Sequence, residues 1–399
     1  MSNREQDPQV EVGSAGRAAA TPDAAAPSPA EAGGLREDLP APRFTQGLSS
    51  GVSEHEGEGC VVELLEPRAV PLGGPRAMTV QRSLPQRARS LIGAWCFLDF
   101  YGPDDVAATG GMDVPRHPHT GLATVSWLFE GRIDHVDSAG NWATVRPGEV
   151  NLMHAGRGVT HTEYSTADTT VLHGAQLWYA LPDAHRFSHP DLHSHRPDPV
   201  IGEGWEAKVF LGELLGRRSP VPTAIPLTGA ELRLQPGAEI VVEVPAHHEH
   251  GLLTVSGAVT LQGVDVPAAH LGYVGPGARR LTVRAGDEPV IALLIGGEPL
   301  GEQIIMWWNF VGRTQEEIET WRAAYQQEMG FETPTPDSPL RREADEPLGE
   351  QVGGALLDSL VGTAYDDGRP FPQFGAFPPD PKGPIPAPPL PNTRVRPRG

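Results

Sequence analysis

The sequence predicts an all-β protein with two β-barrels or sandwiches in tandem, a short helix after them, and a disordered tail at each end. Three observations support this prediction. Short β-branched and aromatic runs recur between glycine turns at spacings of about 8–12 residues in the centre of the chain. One segment near residue 320 has helical periodicity instead. The N-terminal end is rich in alanine and proline, the C-terminal end is rich in proline, and neither carries an apolar stripe that could form a core.

The charge balance and the cysteine content limit the classes of function. With 51 acidic and 31 basic residues, the formal net charge is −20, which argues against a general phosphate-binding surface. The two cysteines, Cys60 and Cys96, cannot form a disulfide framework and indicate a reduced, intracellular chain. There is no run of about 18 apolar residues and no basic-then-apolar leader. We therefore expect a cytoplasmic protein without direct contact to nucleic acid or membrane.

Both tails are predicted to be disordered. In residues 1–58, prolines interrupt an alanine-rich stretch that has nothing to bury. In residues 335–399, the proline content is highest near the end, where eleven of the 28 residues from 370 to 397 are proline. Such a composition favours an extended polyproline II segment. A solvated tail is the preferred interpretation, and a ligand for a proline-binding domain is the alternative.

The strand-rich centre divides into two similar halves, residues 60–215 and 216–334. Each half contains β-branched runs that a glycine turn closes, at Glu130-Gly131 in the first half and at Ser256-Gly257 in the second. The similarity suggests a distant internal repeat, with one barrel or sandwich in each half.

A helix is predicted at residues 314–330, at the end of the second half. Thr314 and Glu317 have capping-box spacing, in which the threonine hydroxyl accepts from the amide at N3 and the glutamate returns to the cap. Gly330 is placed to end the helix. The residues that recur on its apolar face, and that we expect to pack against a barrel, are Ile318, Trp321, Tyr325 and Met329.

Two histidines before a strand begin the candidate site. His117 and His119 are two residues apart, so on a strand their side chains share one face. We expect that face to line the interior of the barrel, where buried imidazoles need polar partners or a metal. The apolar row that continues the same parity is Gly121, Ala123, Val125, Trp127 and Phe129, of which the last three, with Met153, are the predicted walls of the pocket.

A second pair follows in His161 and Glu163, again two residues apart and preceded by a glycine-rich turn. Adjacent antiparallel strands would bring both pairs together as three imidazoles and one carboxylate. That set suits a divalent first-row metal such as iron, copper, nickel, manganese or zinc, and the lack of thiolates argues against structural zinc. His154 is close enough to this turn to be a candidate substrate-facing residue.

The remaining histidines receive simpler interpretations. We expect His135 to hydrogen-bond within a turn, and the four histidines of residues 185–195 to lie in an exposed loop. The run His247-His-Glu-His250 occupies a position in the second half that resembles His117-Pro-His119. No later His-x-Glu pair completes it, although His270 follows, so a second metal site is the less favoured interpretation.

These motifs together resemble the pirin family, a bicupin branch of the cupin superfamily. The resemblance covers about residues 76–330, and the chain departs from it at Ala123, where many pirins have Glu, and at His154, where many have Thr. The segments that carry the resemblance are His117-Pro-His-Thr-Gly-Leu-Ala-Thr-Val, His135-x-Asp-Ser-x-Gly140, Pro147-Gly148, Met153-x-Ala-Gly-Arg-Gly-x-x-His-x-Glu163, Gln176-Leu-Trp178 and Asn309-Phe-Val-Gly-Arg-Thr-Gln-Glu-Glu-Ile318.

The resemblance implies two cupin (jelly-roll) barrels, with a mononuclear Fe(II) in the N-terminal one and no metal in the C-terminal one. The family's three histidines and one glutamate fall on His117, His119, His161 and Glu163. Some pirins resemble quercetin 2,3-dioxygenase, so one implied function is a dioxygenase that opens flavonol-like, planar aromatic substrates. Glu163 would then act as both ligand and general base, and His154 would share that role.

The alternative implied function is not enzymatic. Other pirins are redox-responsive proteins. The oxidation state of their iron alters a surface that binds a transcription regulator or a metabolic enzyme. The acidic chain and its proline-rich end suit a protein partner better than DNA. A third hypothesis is a bicupin in which the metal has only a structural role. The cupin fold does not decide among them, because it hosts many functions.

Overall fold

The structure is a computed structural model that describes residues 61–72, 78–333, 374–375, 377–380 and 382–399. The predicted tail at residues 1–58 lies outside the described residues, as does the first part of the predicted tail at residues 335–399. The described part of the chain is mostly strand, with two helices, α1 (Val106–Thr109) and α2 (Gln315–Glu328). The predicted all-β class is confirmed.

Twenty-six strands are present in the described residues, and they are numbered in chain order. Their bounds are β1 (Val62–Leu65), β2 (Arg68–Leu72), β3 (Met78–Leu84), β4 (Trp95–Asp105), β5 (Asp113–His119), β6 (Leu122–Glu130), β7 (Ile133–Asp137), β8 (Trp142–Val145), β9 (Val150–His154), β10 (Val159–Ser165), β11 (Val171–Ala180), β12 (Asp191–His195), β13 (Val200–Gly202), β14 (Trp205–Leu211), β15 (Glu213–Leu214), β16 (Arg217–Arg218), β17 (Leu227–Leu234), β18 (Glu239–Glu243), β19 (Glu249–Ser256), β20 (Val259–Leu261), β21 (Val264–Val266), β22 (Leu271–Val274), β23 (Arg280–Ala285), β24 (Val290–Gly297), β25 (Ile305–Trp307) and β26 (Phe310–Gly312).

The two barrels have the same sheet topology. The first combines a seven-stranded sheet, β12-β9-β6-β11-β4-β3-β2, with a four-stranded sheet, β5-β10-β7-β8. The second combines β1-β22-β19-β24-β17-β14-β13 with β18-β23-β20-β21. Strand for strand, each order of the second barrel corresponds to an order of the first. This correspondence supports the internal repeat that the sequence suggests.

The barrels do not divide the chain at the predicted boundary near residue 216. Strand β1 pairs with β22, and β13 and β14 extend the sheet through β17, so all three belong to the second barrel. They fall within residues 60–215, which the sequence assigns to the first. The reason is that sheet membership depends on which backbone edge a strand pairs with, and hydrophobic periodicity does not reveal that edge.

The outward face of the first barrel's large sheet packs against the second barrel. Trp127 stacks on Phe210 with ring centroids 4.5 Å apart, and its indole N–H donates to Glu231 Oε2 at 2.7 Å. The indole N–H of Trp95 donates to the Gly296 carbonyl at 3.0 Å. One apolar core cluster therefore includes residues of both barrels.

This packing corrects the predicted interior row. Val125 lies opposite Leu177 and Trp127 opposite Ala175, whereas Trp178, which contacts His119, lies opposite Thr124. Val125 and Trp127 therefore point to the other face of the sheet, into the core shared with the second barrel, and Phe129 packs against that core, so these side chains do not line the metal pocket. The parity of His117 and His119 does not continue into β6 because β5 and β6 belong to different sheets. The chain turns at Gly121, whose φ is +67° and where a Cβ would lie 2.0 Å from the Val311 carbonyl oxygen.

Helix α2 begins with the predicted threonine cap. Thr314 Oγ1 accepts from the Glu317 amide at 3.2 Å. The Glu317 carboxylate, however, accepts from the amide of Arg313 at 2.7 Å, one residue before the cap. Ile318, Trp321 and Tyr325 are buried on its apolar face, which packs beside β25 and β26.

The described residues from 374 to 399, here called the C-terminal strap, differ from the expected disordered tail because they lie against the first barrel and α2. Phe374 is fully buried among the aromatic side chains beside α2. The amide of Ile385 donates to the Arg116 carbonyl at 2.9 Å, and the Tyr325 hydroxyl donates to the Ile385 carbonyl at 2.6 Å. A few widely spaced apolar residues thus anchor a proline-rich segment that is neither helix nor strand, and their irregular spacing gives no period by which the sequence could predict the contact.

Candidate metal centre

The inward face of the four-stranded sheet of the first barrel carries the candidate site. On the central strand β10, His161 lies opposite His117 of β5 and Asp137 of β7. Two residues along, Glu163 lies opposite His135. Because directly opposed residues in an antiparallel pair project to the same side, their side chains share one face. The fold thereby brings both predicted pairs onto one surface.

The three predicted histidines lie against one another. Ring centroids are 4.3 Å apart for His117 and His161, 4.9 Å for His119 and His161, and 5.0 Å for His117 and His119. One ring nitrogen of each lies within 4.8 Å of the corresponding nitrogens of the other two. All three are fully buried, and this burial lowers each pKa well below its usual value, so the imidazoles are neutral.

The hydrogen bonding of these rings fits a metal. His117 Nδ1 donates to the Pro115 carbonyl at 2.9 Å, which leaves Nε2 with its lone pair. The Nε2 atoms of His117 and His161 are buried and have no hydrogen-bond partner among the described residues. A buried imidazole nitrogen without a partner is costly unless an ion takes it up. Three neutral imidazoles and a nearby carboxylate are suitable ligands for a divalent first-row metal.

Glu163 is buried beside His161. A carboxylate oxygen of Glu163, one ring nitrogen of His135 and one of His161 lie within 4.8 Å of one another. The four predicted ligands therefore fall into two adjoining groups that share His161. The register of β10 against β5 is irregular between His161 and Glu163, whereas its pairing with β7 is regular and places Glu163 opposite His135.

His135 is a site residue that sequence reasoning missed. It is buried on β7 rather than in a turn, with its Nδ1 3.3 Å from His161 Nδ1. Its Nε2 lies 3.6 Å from the Asp137 carboxylate. Burial raises the pKa of Asp137, but bonds from His135 and Asn141 outweigh it and lower that pKa below its usual value. The two-residue spacing of His135 and Asp137, like that of His161 and Glu163, was the available signal.

The large sheet supplies the opposite wall. Trp178 lies edge-on to His119 with centroids 5.0 Å apart and stacks on Phe97 at 4.1 Å. Tyr101 lies opposite Gly174, where a Cβ would come within 2.9 Å of the phenolic oxygen. The Tyr101 hydroxyl and Gln176 Nε2 are buried and have no hydrogen-bond partner within the described part of the chain. Unused polar groups thus face a site otherwise walled by aromatic rings.

The structure does not bring His154 to this cluster. It lies opposite Ala123 and Asp191, and its Nε2 is 2.6 Å from Ser188 Oγ. Burial lowers the pKa of His154 to about 4. The neighbouring Met153 lies opposite Thr124, which in turn lies opposite Trp178, so Met153 is on the side of the sheet that faces the ligands.

Two jelly-roll barrels in tandem, with histidines and a glutamate on an inner sheet of the first, define a bicupin. The family model described as Pirin matches residues 77–179, and that described as Pirin C-terminal cupin domain matches residues 229–331. A Pseudomonas aeruginosa protein, named only provisionally as a quercetin 2,3-dioxygenase, is 39% identical over 281 residues, covering 70% of this chain and 88% of that protein. The chain belongs to the pirin family.

Two further comparisons agree. A pirin-like protein of Caulobacter vibrioides is 34% identical over 256 residues, covering 61% of this chain and 86% of that protein. The crystal structure of a quercetin 2,3-dioxygenase from Acinetobacter baumannii matches with a TM-score of 0.69 and 30% identity, over 84% of this chain and 98% of that one. Among the described residues, neither helix has the length and apolar content needed to cross a membrane.

Proposed function

We propose that this protein is a dioxygenase that holds a mononuclear Fe(II) at His117, His119, His161 and Glu163 and opens planar, flavonol-like aromatic substrates. The observation that carries the proposal is the convergence of three neutral, buried imidazoles beside a carboxylate, with the free Nε2 atoms of His117 and His161. The relatives named after quercetin 2,3-dioxygenase support the reaction class.

The ligand set fits iron chemistry. Imidazole nitrogen and carboxylate oxygen ligands without thiolate suit Fe(II). Copper, nickel and manganese ions accept the same ligands and can compete with iron for the site. The metal, when bound, supplies Lewis-acid polarisation of a substrate oxygen and a redox centre for dioxygen chemistry. The chain's own residues bind the substrate, orient it and move its proton.

Substrate orientation is assigned to the wall opposite the ligands. The stacked Trp178 and Phe97 rings offer an apolar edge for a flat aromatic molecule. The Tyr101 hydroxyl and Gln176 Nε2 provide two buried donors for its carbonyl or hydroxyl oxygens. Such a mixture of apolar walls and a few convergent polar groups is typical of small-molecule sites.

Glu163 is assigned the proton transfer. A flavonol must lose its enol proton before ring opening, and Glu163, one of the four proposed ligands, has a carboxylate oxygen on the inward face that can accept it. The contact with His135 fixes the orientation of the His161 ring, and the Asp137 carboxylate in turn fixes the orientation of His135. His154 has no part in this proposal, because its ring is turned to Ser188.

The test combines metal analysis with oxygen consumption. Untagged protein loaded with Fe(II) under anaerobic conditions is mixed with quercetin, and oxygen uptake and carbon monoxide release are followed. We expect His161→Ala to lose the metal, and Glu163→Gln to retain much of it while oxygen uptake falls at least about 100-fold. His189→Ala, in an exposed turn, is the matched control and should retain both.

The outcomes separate the candidate functions. Full iron occupancy without flavonol binding or oxygen uptake would refute the dioxygenase and leave a metal protein of the regulatory kind. Equal metal content in His161→Ala and wild type, with both folded by circular dichroism, would refute the site itself.

A further inference from the structure

A second group of ligands lies at the rim of the second barrel, outside the site described above. His247 and His248 occupy the turn between β18 and β19, and Glu298 directly follows β24. One ring nitrogen of each histidine and one carboxylate oxygen lie within 4.8 Å of one another. His247 Nε2 is 3.3 Å from Glu298 Oε1, and the two histidine rings are 4.5 Å apart.

One member of this group is not explained by an ion pair. The His247 and Glu298 side chains are 67% and 42% exposed, so water can solvate them. His248 is only 7% exposed, and its buried Nδ1 has no hydrogen-bond partner among the described residues. The His248 ring thus combines a buried nitrogen that lacks a partner with a position beside a second imidazole and a carboxylate, and this combination indicates an ion-binding position.

We propose that His247, His248 and Glu298 form a second divalent-metal site that takes a borderline cation such as Zn²⁺, Ni²⁺ or Cu²⁺. Bonds of about 2.0–2.1 Å in a tetrahedral site put neighbouring ligand atoms about 3.4 Å apart. The separation of 3.3 Å between His247 Nε2 and Glu298 Oε1 already matches this geometry. Three protein ligands leave a fourth position for water.

This site is not a copy of the one in the first barrel. Strands β18 and β23 correspond in sheet order to the ligand strands β5 and β10. Their inward, directly opposed pairs are apolar: Ile240 with Val283 and Val242 with Leu281. The interior of the second barrel is therefore a packed core, and the proposed ligands lie at its rim.

The position of the site links it to the contact between the barrels. Glu249, next to the histidine pair, accepts from the Gly93 amide at 2.6 Å, and a Cβ on Gly93 would lie 3.1 Å from the Glu298 carbonyl oxygen. A metal that joins the β18–β19 turn to the end of β24 would fix two segments that touch the first barrel. Because two of its ligands are exposed, we expect the metal bound there to exchange rapidly with metal in solution, unlike the metal at the buried first site.

The experiment counts bound Zn²⁺ by equilibrium dialysis of the metal-free full-length protein. We expect two equivalents for the wild type and one equivalent for His247→Ala, His248→Ala or Glu298→Ala, with the affinity at the second site lowered at least about tenfold. The first two positions to mutate are the exposed ones, His247 and Glu298, since their loss leaves the core intact. His270→Ala is the matched control, because this half-buried histidine of the same barrel lies outside the ligand group, so its loss should leave two equivalents.

Each result decides the proposal. A second equivalent that persists in both His247→Ala and Glu298→Ala overturns it, as does loss of that equivalent in His270→Ala. The proposal is also overturned if the wild type binds only one equivalent of Zn²⁺ and that equivalent is lost in His161→Ala but kept in His248→Ala. If the wild type binds one equivalent of Zn²⁺ that is lost only in the variants of His247, His248 and Glu298, the proposal is supported and the site in the first barrel is refuted. X-ray absorption of the bound metal should show nitrogen and oxygen neighbours without sulfur.

Discussion

Replacing Trp127 by phenylalanine tests which way the row from Val125 to Phe129 faces. In the structure the indole N–H of Trp127 donates to Glu231 at 2.7 Å, and Glu231 is 2% exposed. The substitution removes this donor and leaves a buried carboxylate oxygen unsatisfied, at a cost of about 1.5–3 kcal/mol. The smaller ring also leaves a cavity beside Phe210, which adds about 1 kcal/mol. We expect the free energy of unfolding to fall by about 2.5–4 kcal/mol.

The assay is urea denaturation of the metal-loaded protein, with metal content measured on the same samples. Trp127→Phe should keep its full metal content, because the residue faces the second barrel. Trp142→Phe is the matched control, since this tryptophan is 77% exposed and its replacement should change stability by less than about 0.5 kcal/mol. Unchanged unfolding together with loss of metal or of flavonol binding would show that Trp127 lines the pocket after all.

Four further outcomes are expected. Thr314→Ala should lower the free energy of unfolding by about 1 kcal/mol through loss of the α2 cap, and a change of zero in urea denaturation would contradict this. The ligand histidines stay neutral when folded, but the unfolded chain binds protons below pH ~6.5. The metal-free protein should therefore lose stability as the pH falls from 7 to 5, by up to about 1.4 kcal/mol per pH unit for each histidine, and denaturation curves that coincide at the two pH values would refute this. Phe374→Ala should release the C-terminal strap, seen as faster amide exchange at residues 382–399, while metal content stays constant. In a Cys60→Ser background, Cys96 should react with thiol reagents only after denaturation, because burial raises its pKa to about 12.

The sequence was most informative where a local pattern has a direct geometric meaning. The two-residue spacings of His117 with His119 and of His161 with Glu163 place each pair on one strand face, and those faces do converge. The prediction that residues 121–129 continue the face of His117 and His119 is wrong, because β5 and β6 belong to different sheets. No local sequence pattern marks the change of sheet at Gly121. Periodicity describes one strand at a time, and the sheet to which a strand belongs is a long-range property.

Two other residues show the same limit in different ways. The sequence predicts a turn at His135 although the residue repeats the His-x-acid spacing, because its role becomes visible only when β7 pairs with β10. Glu298 carries no motif at all, and only the end of β24 brings it to His247. Composition likewise predicts an extended polyproline II segment at the proline-rich end, but it does not reveal the aromatic surface that receives Phe374, because that surface is assembled from distant segments.

The assignment of β1, β13 and β14 to the second barrel affects how this protein can be taken apart. A cut between the halves at residue 216 would leave β22 and β17 each with one bare edge, and would leave the three detached strands on a fragment that has no place for them. Such fragments should aggregate rather than fold as independent barrels. A hybrid between two pirins would have to carry residues 62–65 and 200–211 together with the second barrel, so the unit of exchange is discontinuous in the gene.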